Sequence, residues 1–394
     1  MAPTKFILFG RLLPLAALLL VSGAAVVAQD IPEGFQQVLL YDDFSTPFTD
    51  NWVLDVGIGY PGGATNWGTG EIQTYTDSTD NIAIKNGNLV ITPLRDGAGG
   101  WTSSLIETKS EHDWVCPPGG RLRVEAKLRL GGESDSAQAG IWPAFWALGS
   151  EFRGNDQNWP AIGEIDVLES PNGQPTTWHT VHCGVSPGGP CDETNGVGGS
   201  GPFSRGEFHV VSAEISRAAS TEGDAWREVY LTFAVDGVPN FTVTGEKIGD
   251  LGAWAPLAQE AKFLLLNVAV VVSFPDALAG AQTPNEATID GVGANMEVKY
   301  VAVYKVLYTG TAGDGVPLTK GWLRCSMQKI HNKHLRHRNY LVHREYLSTD
   351  VEHVKAREVY KVDVEIWPTN VVVEKGGKIL LEVASRDTQG CGVF

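Results

Sequence analysis

Leu122-Arg123-Val124-Glu125-Ala126-Lys127-Leu128-Arg129-Leu130 alternates apolar and charged residues without a break. Successive side chains of a strand leave on opposite faces, so a period of two buries one face and wets the other. The segment therefore reads as a half-buried strand. Working outward, the continuous apolar run Phe263 to Val272 reads as a strand covered on both faces. Gly, Pro, Asn and Asp clusters punctuate the chain between such segments, and only 254–262 hints at a helix. Many strands with turn signals and no recurring helix pattern predict an all-β sandwich or barrel rather than βαβ units.

At the N-terminus, Lys5 and Arg11 precede an apolar run, Leu12 to Val21, that ends in small residues and is too short to span a bilayer. With Val26-Val27-Ala28 as cleavage site, residues 1–28 are expected to be a signal peptide and the mature chain to be secreted and extracellular. No later segment is apolar enough to anchor it, so no membrane partner is expected. What remains exceeds the usual size of one core, and the charge divides it. Residues 30–308 hold 36 acidic and 15 basic side chains, whereas 309–394 hold 10 and 13. The expected organisation is a catalytic domain over 29–308, a linker over 309–315 and a second unit over 316–394. An acidic body repels nucleic acid and leaves neutral substrates as its partners. Of five cysteines, Cys183 and Cys191 bracket a Pro/Gly-rich loop short enough to be closed by a disulfide in an exported chain. Cys116 is then a buried lone thiol.

The chemistry concentrates at Gly163-Glu164-Ile165-Asp166-Val167-Leu168-Glu169-Ser170, with three carboxylates in six residues of strand-forming sequence. Glu164 and Asp166 share a face, and a regular strand would send Glu169 to the other. A bulge at Val167-Leu168 returns Glu169 to the face of its partners. The two glutamates are then about four strand steps apart, roughly 13 Å at the backbone. Their side chains can lean inward to the ~5–5.5 Å that double displacement at an anomeric carbon requires.

This signature resembles glycoside hydrolase family 16 in its laminarinase-like branch, over about residues 31–306. The resemblance implies a jelly-roll β-sandwich with a concave cleft. It also implies Glu164 as nucleophile, Asp166 as its assistant and Glu169 as acid/base. The implied activity is retaining endo-hydrolysis of β-1,3-glucan, or of mixed β-1,3/1,4-glucan, by a monomer without cofactor. Trp142-Pro143-Ala144-Phe145-Trp146 offers Trp142 and Trp146 as walls on which a pyranose stacks. Asn66 to Tyr75 places Glu71, Gln73 and Tyr75 on one face if it is a strand, suited to sugar hydroxyls. The match at Thr180-Val181-His182-Cys183-Gly184 makes His182, rather than His179, the cleft residue, and Asn267 of Asn267-Val268-Ala269-Val270 joins the substrate contacts. Three positions depart from the family. Val271-Val272 stands where Gly-Gly is common and would crowd the cleft. Ile215 stands where a cleft Trp often follows Phe208-His209, and Lys299 stands where calcium-binding members tend to have Asp, so no metal is expected. Asn240-Phe241-Thr242 is a glycosylation sequon.

Gly184-Val185-Ser186-Pro187-Gly188 matches a serine-hydrolase elbow as a string, but Pro187 has no N–H to lend to an oxyanion hole. His331, His334 and His337 lie among Lys333, Arg336 and Arg338, which oppose a metal ion. Lys320-Gly321-Trp322-Leu323-Arg324, Glu365-Ile366-Trp367-Pro368-Thr369 and Glu374-Lys375-Gly376 resemble the C-terminal β-sandwich of X-Pro dipeptidyl-peptidase-type serine hydrolases. A partial second β-sandwich that adds nothing to glycan hydrolysis is expected there. The alternative to an active enzyme is a catalytically weak or silent carbohydrate-binding protein of the same fold.

Overall fold

The computed structural model describes residues 31–306 apart from 61, 62, 156 and 220–222. The expected signal peptide, linker and second β-sandwich, with the histidine cluster, lie outside the described residues. In chain order the strands are β1 Gln37–Asp42, β2 Trp52–Asp55, β3 Gln73–Tyr75, β4 Ile82–Lys85, β5 Asn88–Ile91 and β6 Leu94–Arg95. Next come β7 Trp101–Ser103, β8 Leu105–Thr108, β9 Arg121–Leu130, β10 Ile141–Gly149, β11 Glu164–Glu169 and β12 Thr176–His182. The last are β13 Val197–Pro202, β14 His209–Ser216, β15 Tyr230–Val235, β16 Val238–Thr244, β17 Lys262–Val270 and β18 Met296–Val306.

Two sheets carry the fold. The outer one runs β16-β15-β14-β9-β18-β5-β4 with β1 added to β18, and the inner one runs β13-β12-β11-β10-β17-β8-β2. The inner sheet's two ends do not pair, so the choice between sandwich and barrel falls to the sandwich. A three-stranded sheet, β3-β7-β6, stands apart from both. The jelly-roll expectation holds.

The alternation in β9 works as its period demands. Leu122, Val124, Ala126, Leu128 and Leu130 enter the core between the sheets, against Ile165, Val167 and Leu168 of β11 and Leu264, Leu266, Val268 and Val270 of β17. Glu125 is also buried, and it accepts from the Tyr300 hydroxyl at 2.9 Å and pairs with Arg123 at 2.8 Å. β17 is buried along its whole length because it has two apolar environments. Its far face meets a second cluster of Tyr75, Leu105, Leu148, Ile162, Phe263 and Leu265.

The helix expected over 254–262 runs instead over Leu251–Ala258. Asp250 starts it early by accepting from the Ala253 N–H at 3.0 Å, and Lys262 already belongs to β17. Among the described residues no helix is long and apolar enough to cross a membrane.

Candidate active site

β11 is not a regular strand. Against β10, Trp146 pairs with Asp166 and Phe145 with Leu168, so Val167 has no partner; against β12, Val167 and Leu168 oppose the single residue His179. This is the bulge expected at Val167-Leu168. Val167 and Leu168 both enter the core, and Glu164, Asp166 and Glu169 all pair with residues of one β12 face: His182, Thr180 and Trp178. The ladder leaves the Val167 carbonyl unserved, and the ring N–H of His179 Nδ1 donates to it at 2.8 Å. His179 is wholly buried, stacks on Phe233 at 5.1 Å, and accepts at Nε2 from the Asn240 side-chain amide at 3.2 Å. Burial holds its pKa down at about 4, against the opposing effect of the Val167 hydrogen bond. Its place is structural, and Asn240, the sequon residue, has its amide engaged.

The three carboxylates sit in different company. Glu164 accepts from the Trp159 indole N–H at 3.0 Å, and Trp159 in turn lies 5.6 Å from the His182 ring. Glu169 lies 3.5 Å from the Thr180 hydroxyl. Asp166 is 4% exposed between them and shares a hydrogen bond with Glu164. Burial raises all three pKa values. The charges of Glu164 and Glu169 add to it and drive Asp166 well above the carboxylate range, which favours its protonated form. Glu164 is raised by burial, with His182 and the Trp159 N–H pulling it back down. Glu169 is pushed up to about 7 by burial, opposed by His182 and reinforced by Glu164.

Of the two histidines of β12, His182 is the one beside the carboxylates. Its Nδ1 is 2.8 Å from Glu193 Oε2 and its Nε2 is 3.4 Å from Asp166 Oδ2. Burial lowers its pKa, but the Glu193 hydrogen bond and the charges of Glu164, Glu193 and Glu169 outweigh that and raise it. Glu193 and Trp159 are site residues that the sequence reading missed. The signal for Glu193 was present, because the expected disulfide brings the residues flanking Cys183 and Cys191 together. That disulfide is formed, with Cα atoms 5.4 Å apart. Cys116 is a buried free thiol, its pKa pushed up to about 12 by burial.

Trp142 and Trp146 both point to the carboxylate side of β10, half-buried. Trp142 packs on Phe274 at 5.2 Å, and Phe274 meets Trp178 at 6.3 Å, so an aromatic group stands at the Glu169 end. Trp146 instead donates its N–H to Asn267 Oδ1 at 2.9 Å.

Glu71, Gln73 and Tyr75 do share a face, but it is roofed over. Gln73 and Tyr75 are each 1% exposed and do not reach an open cleft. Tyr75 accepts from the Asn267 amide at 2.9 Å, Gln73 accepts from the Val270 N–H at 2.7 Å and donates to Glu71, and Glu71 also accepts from Thr69 at 3.0 Å. The three hold the loop onto β17, and Asn267, 5% exposed, is spent on Trp146 and Tyr75. All four expected sugar contacts are thus buried and hydrogen-bonded among themselves or to β10 and β17.

The departures also resolve. Val271 has the cleft-side parity but is fully covered, bridged to Glu71; Val272 lines a separate cavity of about 510 Å³ with Ile72, Trp101 and Pro284. Ile215 lies in the outer sheet, 1% exposed, paired with Leu122 and Leu231, so it is a core residue and not a missing cleft Trp. Lys299 is exposed on β18. Among the described residues one grouping has metal-ligating atoms near enough to share a cation: Glu164, Asp166 and His182, within 4.8 Å of one another. Of these, His182 already spends Nδ1 on Glu193.

An open jelly roll with three bulge-aligned carboxylates on one face of its inner sheet defines a sandwich-type glycoside hydrolase. Comparison narrows the class. The XgeA-like catalytic GH16 domain matches residues 135–195, and the X-Pro dipeptidyl-peptidase C-terminal non-catalytic domain matches 286–394. The fold is similar to that of an endo-1,3-β-glucanase from Streptomyces sioyaensis, at 43% identity and a TM-score of 0.65, over 72% of this chain and 100% of that one. In sequence the chain is 30% identical to glucan endo-1,3-β-glucosidase A1 of Niallia circulans over 67% of its own length, but spans only 37% of that relative. It is 27% identical to a β-glucanase of Rhodothermus marinus, covering 67% of this chain and 82% of that one. The chain belongs to glycoside hydrolase family 16.

Proposed function

We propose that the protein is a secreted, retaining endo-β-1,3-glucanase that acts by double displacement. The observation that carries this reading is the bulge that puts Glu164, Asp166 and Glu169 on one face. Glu164, bonded to Trp159 and drawn toward ionisation by His182, attacks the anomeric carbon. Glu169, with its pKa near 7, gives its proton to the leaving oxygen and then takes one from water. Protonated Asp166 donates to Glu164 and gives up this bond as the nucleophile's charge is spent. Trp142, Trp178 and Phe274 offer apolar faces for the sugars beyond Glu169. Names of the family relatives given above support β-1,3-glucan as substrate, and the disulfide supports an exported chain.

The test is reducing-end release from laminarin, lichenan and cellulose by the full chain. Glu164→Gln and Glu169→Gln should each lower laminarin turnover at least about a thousandfold with melting unchanged, and early product should keep its anomeric configuration by NMR. A near-wild-type rate in either variant, or inverted product, would sink the assignment. Wild-type protein that binds laminarin without cleaving it would favour the carbohydrate-binding reading.

A further inference from the structure

Glu193 carries no role in the mechanism above, yet its side chain is completely enclosed. A buried carboxylate is costly unless every oxygen is used. Here both are used: Oε1 accepts from the Cys183 backbone N–H at 2.8 Å and Oε2 lies 2.8 Å from His182 Nδ1. The turn that delivers it is tightly held. Cys183 is bonded to Cys191, and Gly188 and Glu193 exchange two backbone hydrogen bonds of 2.6 Å. The chain then runs so close to His182 that a Cβ on Gly196 would lie 2.8 Å from the imidazole and 2.4 Å from Thr180.

A line of contacts therefore leads from the disulfide loop to the middle carboxylate. An imidazole bonded through one nitrogen to a carboxylate has its ring plane and the role of its other nitrogen fixed. His182 Nε2 consequently faces Asp166 Oδ2, at 3.4 Å. The charged or polar groups around that ring are Glu193 from the loop and Glu164, Asp166 and Glu169 from β11, with the Trp159 ring alongside. This acidic row favours the charged form of His182 against the cost of its burial.

Resting on the glucanase reading, we propose that Glu193 is a positioning residue for catalysis: it orients the His182 imidazole and keeps it protonated, and so sets the side chain and charge balance of the Asp166 centre. It touches no substrate; its hydrogen bond acts through His182, beside a smaller direct effect of its charge on Glu164 and Asp166.

The experiment is a double-mutant cycle in the full chain, with Glu193→Gln, His182→Gln and the pair, assayed on laminarin. Glu193→Gln should lower kcat about tenfold with little change in KM, and in the His182→Gln background it should have almost no further effect. Equal losses in both backgrounds, or no loss in either, overturn the proposal. Should the variants fold poorly, the wild-type protein decides by imidazole NMR: His182 should show a bonded Nδ1–H and stay protonated above ~6.5, the ordinary imidazole value. A ring neutral at that pH overturns it equally. Glu164→Gln separates the two readings. If that variant keeps its rate the glucanase mechanism fails, whereas an inert Glu164→Gln beside a fully active Glu193→Gln defeats only the present inference.

Discussion

At the scale of single residues, the site separates three like groups by their surroundings. Asp166 is flanked by two carboxylates that favour its protonated form, Glu164 has an indole N–H and an imidazole to favour its charge, and Glu169 is raised to about 7. Ionisation of Glu169 removes the acid, so kcat/KM on laminarin should fall as pH rises through about 7. An aryl β-glucoside with a strongly acidic phenol as leaving group needs no proton, and its glycosylation step should lose this dependence. Glu169→Gln should then show a fast burst of phenol followed by a slow steady state, because the second step lacks its base. A variant with no burst, or an alkaline limb identical for both substrates, would remove Glu169 from the acid/base role.

At the scale of elements, the bulge in β11 decides whether three carboxylates meet, and His179 is what holds it. The ring is neutral because burial keeps its pKa at about 4, whereas in the unfolded chain it titrates near ~6.5. Between those values the unfolded chain binds more protons, so stability is full above ~6.5 and falls as pH drops toward 4, by an amount on the order of 3 kcal/mol. His179→Phe keeps a ring against Phe233 but orphans the Val167 carbonyl and the Asn240 amide, which should cost about 1–3 kcal/mol at pH 7.5. Because the variant lacks the titrating group, its deficit should shrink by about 2 kcal/mol at pH 5 in urea unfolding. A deficit that does not change with pH would mean that His179 does not titrate as its burial requires. The same elements mark how far the sequence could be read. Period two exposed β9, and the parity of Glu164, Asp166 and Glu169 exposed the bulge, since both are local rules. Glu71, Gln73 and Tyr75 also obeyed parity, yet their face is closed by Asn267 and Val270, nearly two hundred residues away, which no local pattern reports. Trp159 and Glu193 reach the site from loops without periodicity, so only a covalent clue such as the disulfide pointed toward one of them.

At the scale of the whole molecule, the question is where the catalytic unit ends. The X-Pro dipeptidyl-peptidase match starts at 286, before β18. β18 pairs with β9 along its length, with β5 near its start and with β1 near its end, and Val298, Val301, Val303 and Val306 are fully buried. It is an interior strand of the outer sheet, so a boundary at 286 would remove a core strand, leave β1 without a partner and strip β9 and β5 of one neighbour each. The charge balance changes only after 308, where 10 acidic side chains meet 13 basic ones. We therefore propose that the boundary lies at 308. A chain ended there should melt cooperatively and cleave laminarin with unchanged kcat/KM, while one ended at 285 should fail to fold, because each lost valine withdraws about 1.5–3 kcal/mol of burial. Reducing-end assays and thermal melts on the two truncations test both halves. A folded 308 truncation that has lost most of its turnover would make the basic tail a working part of the glucanase, and a cooperative, active 285 truncation would show that β18 belongs to the tail after all.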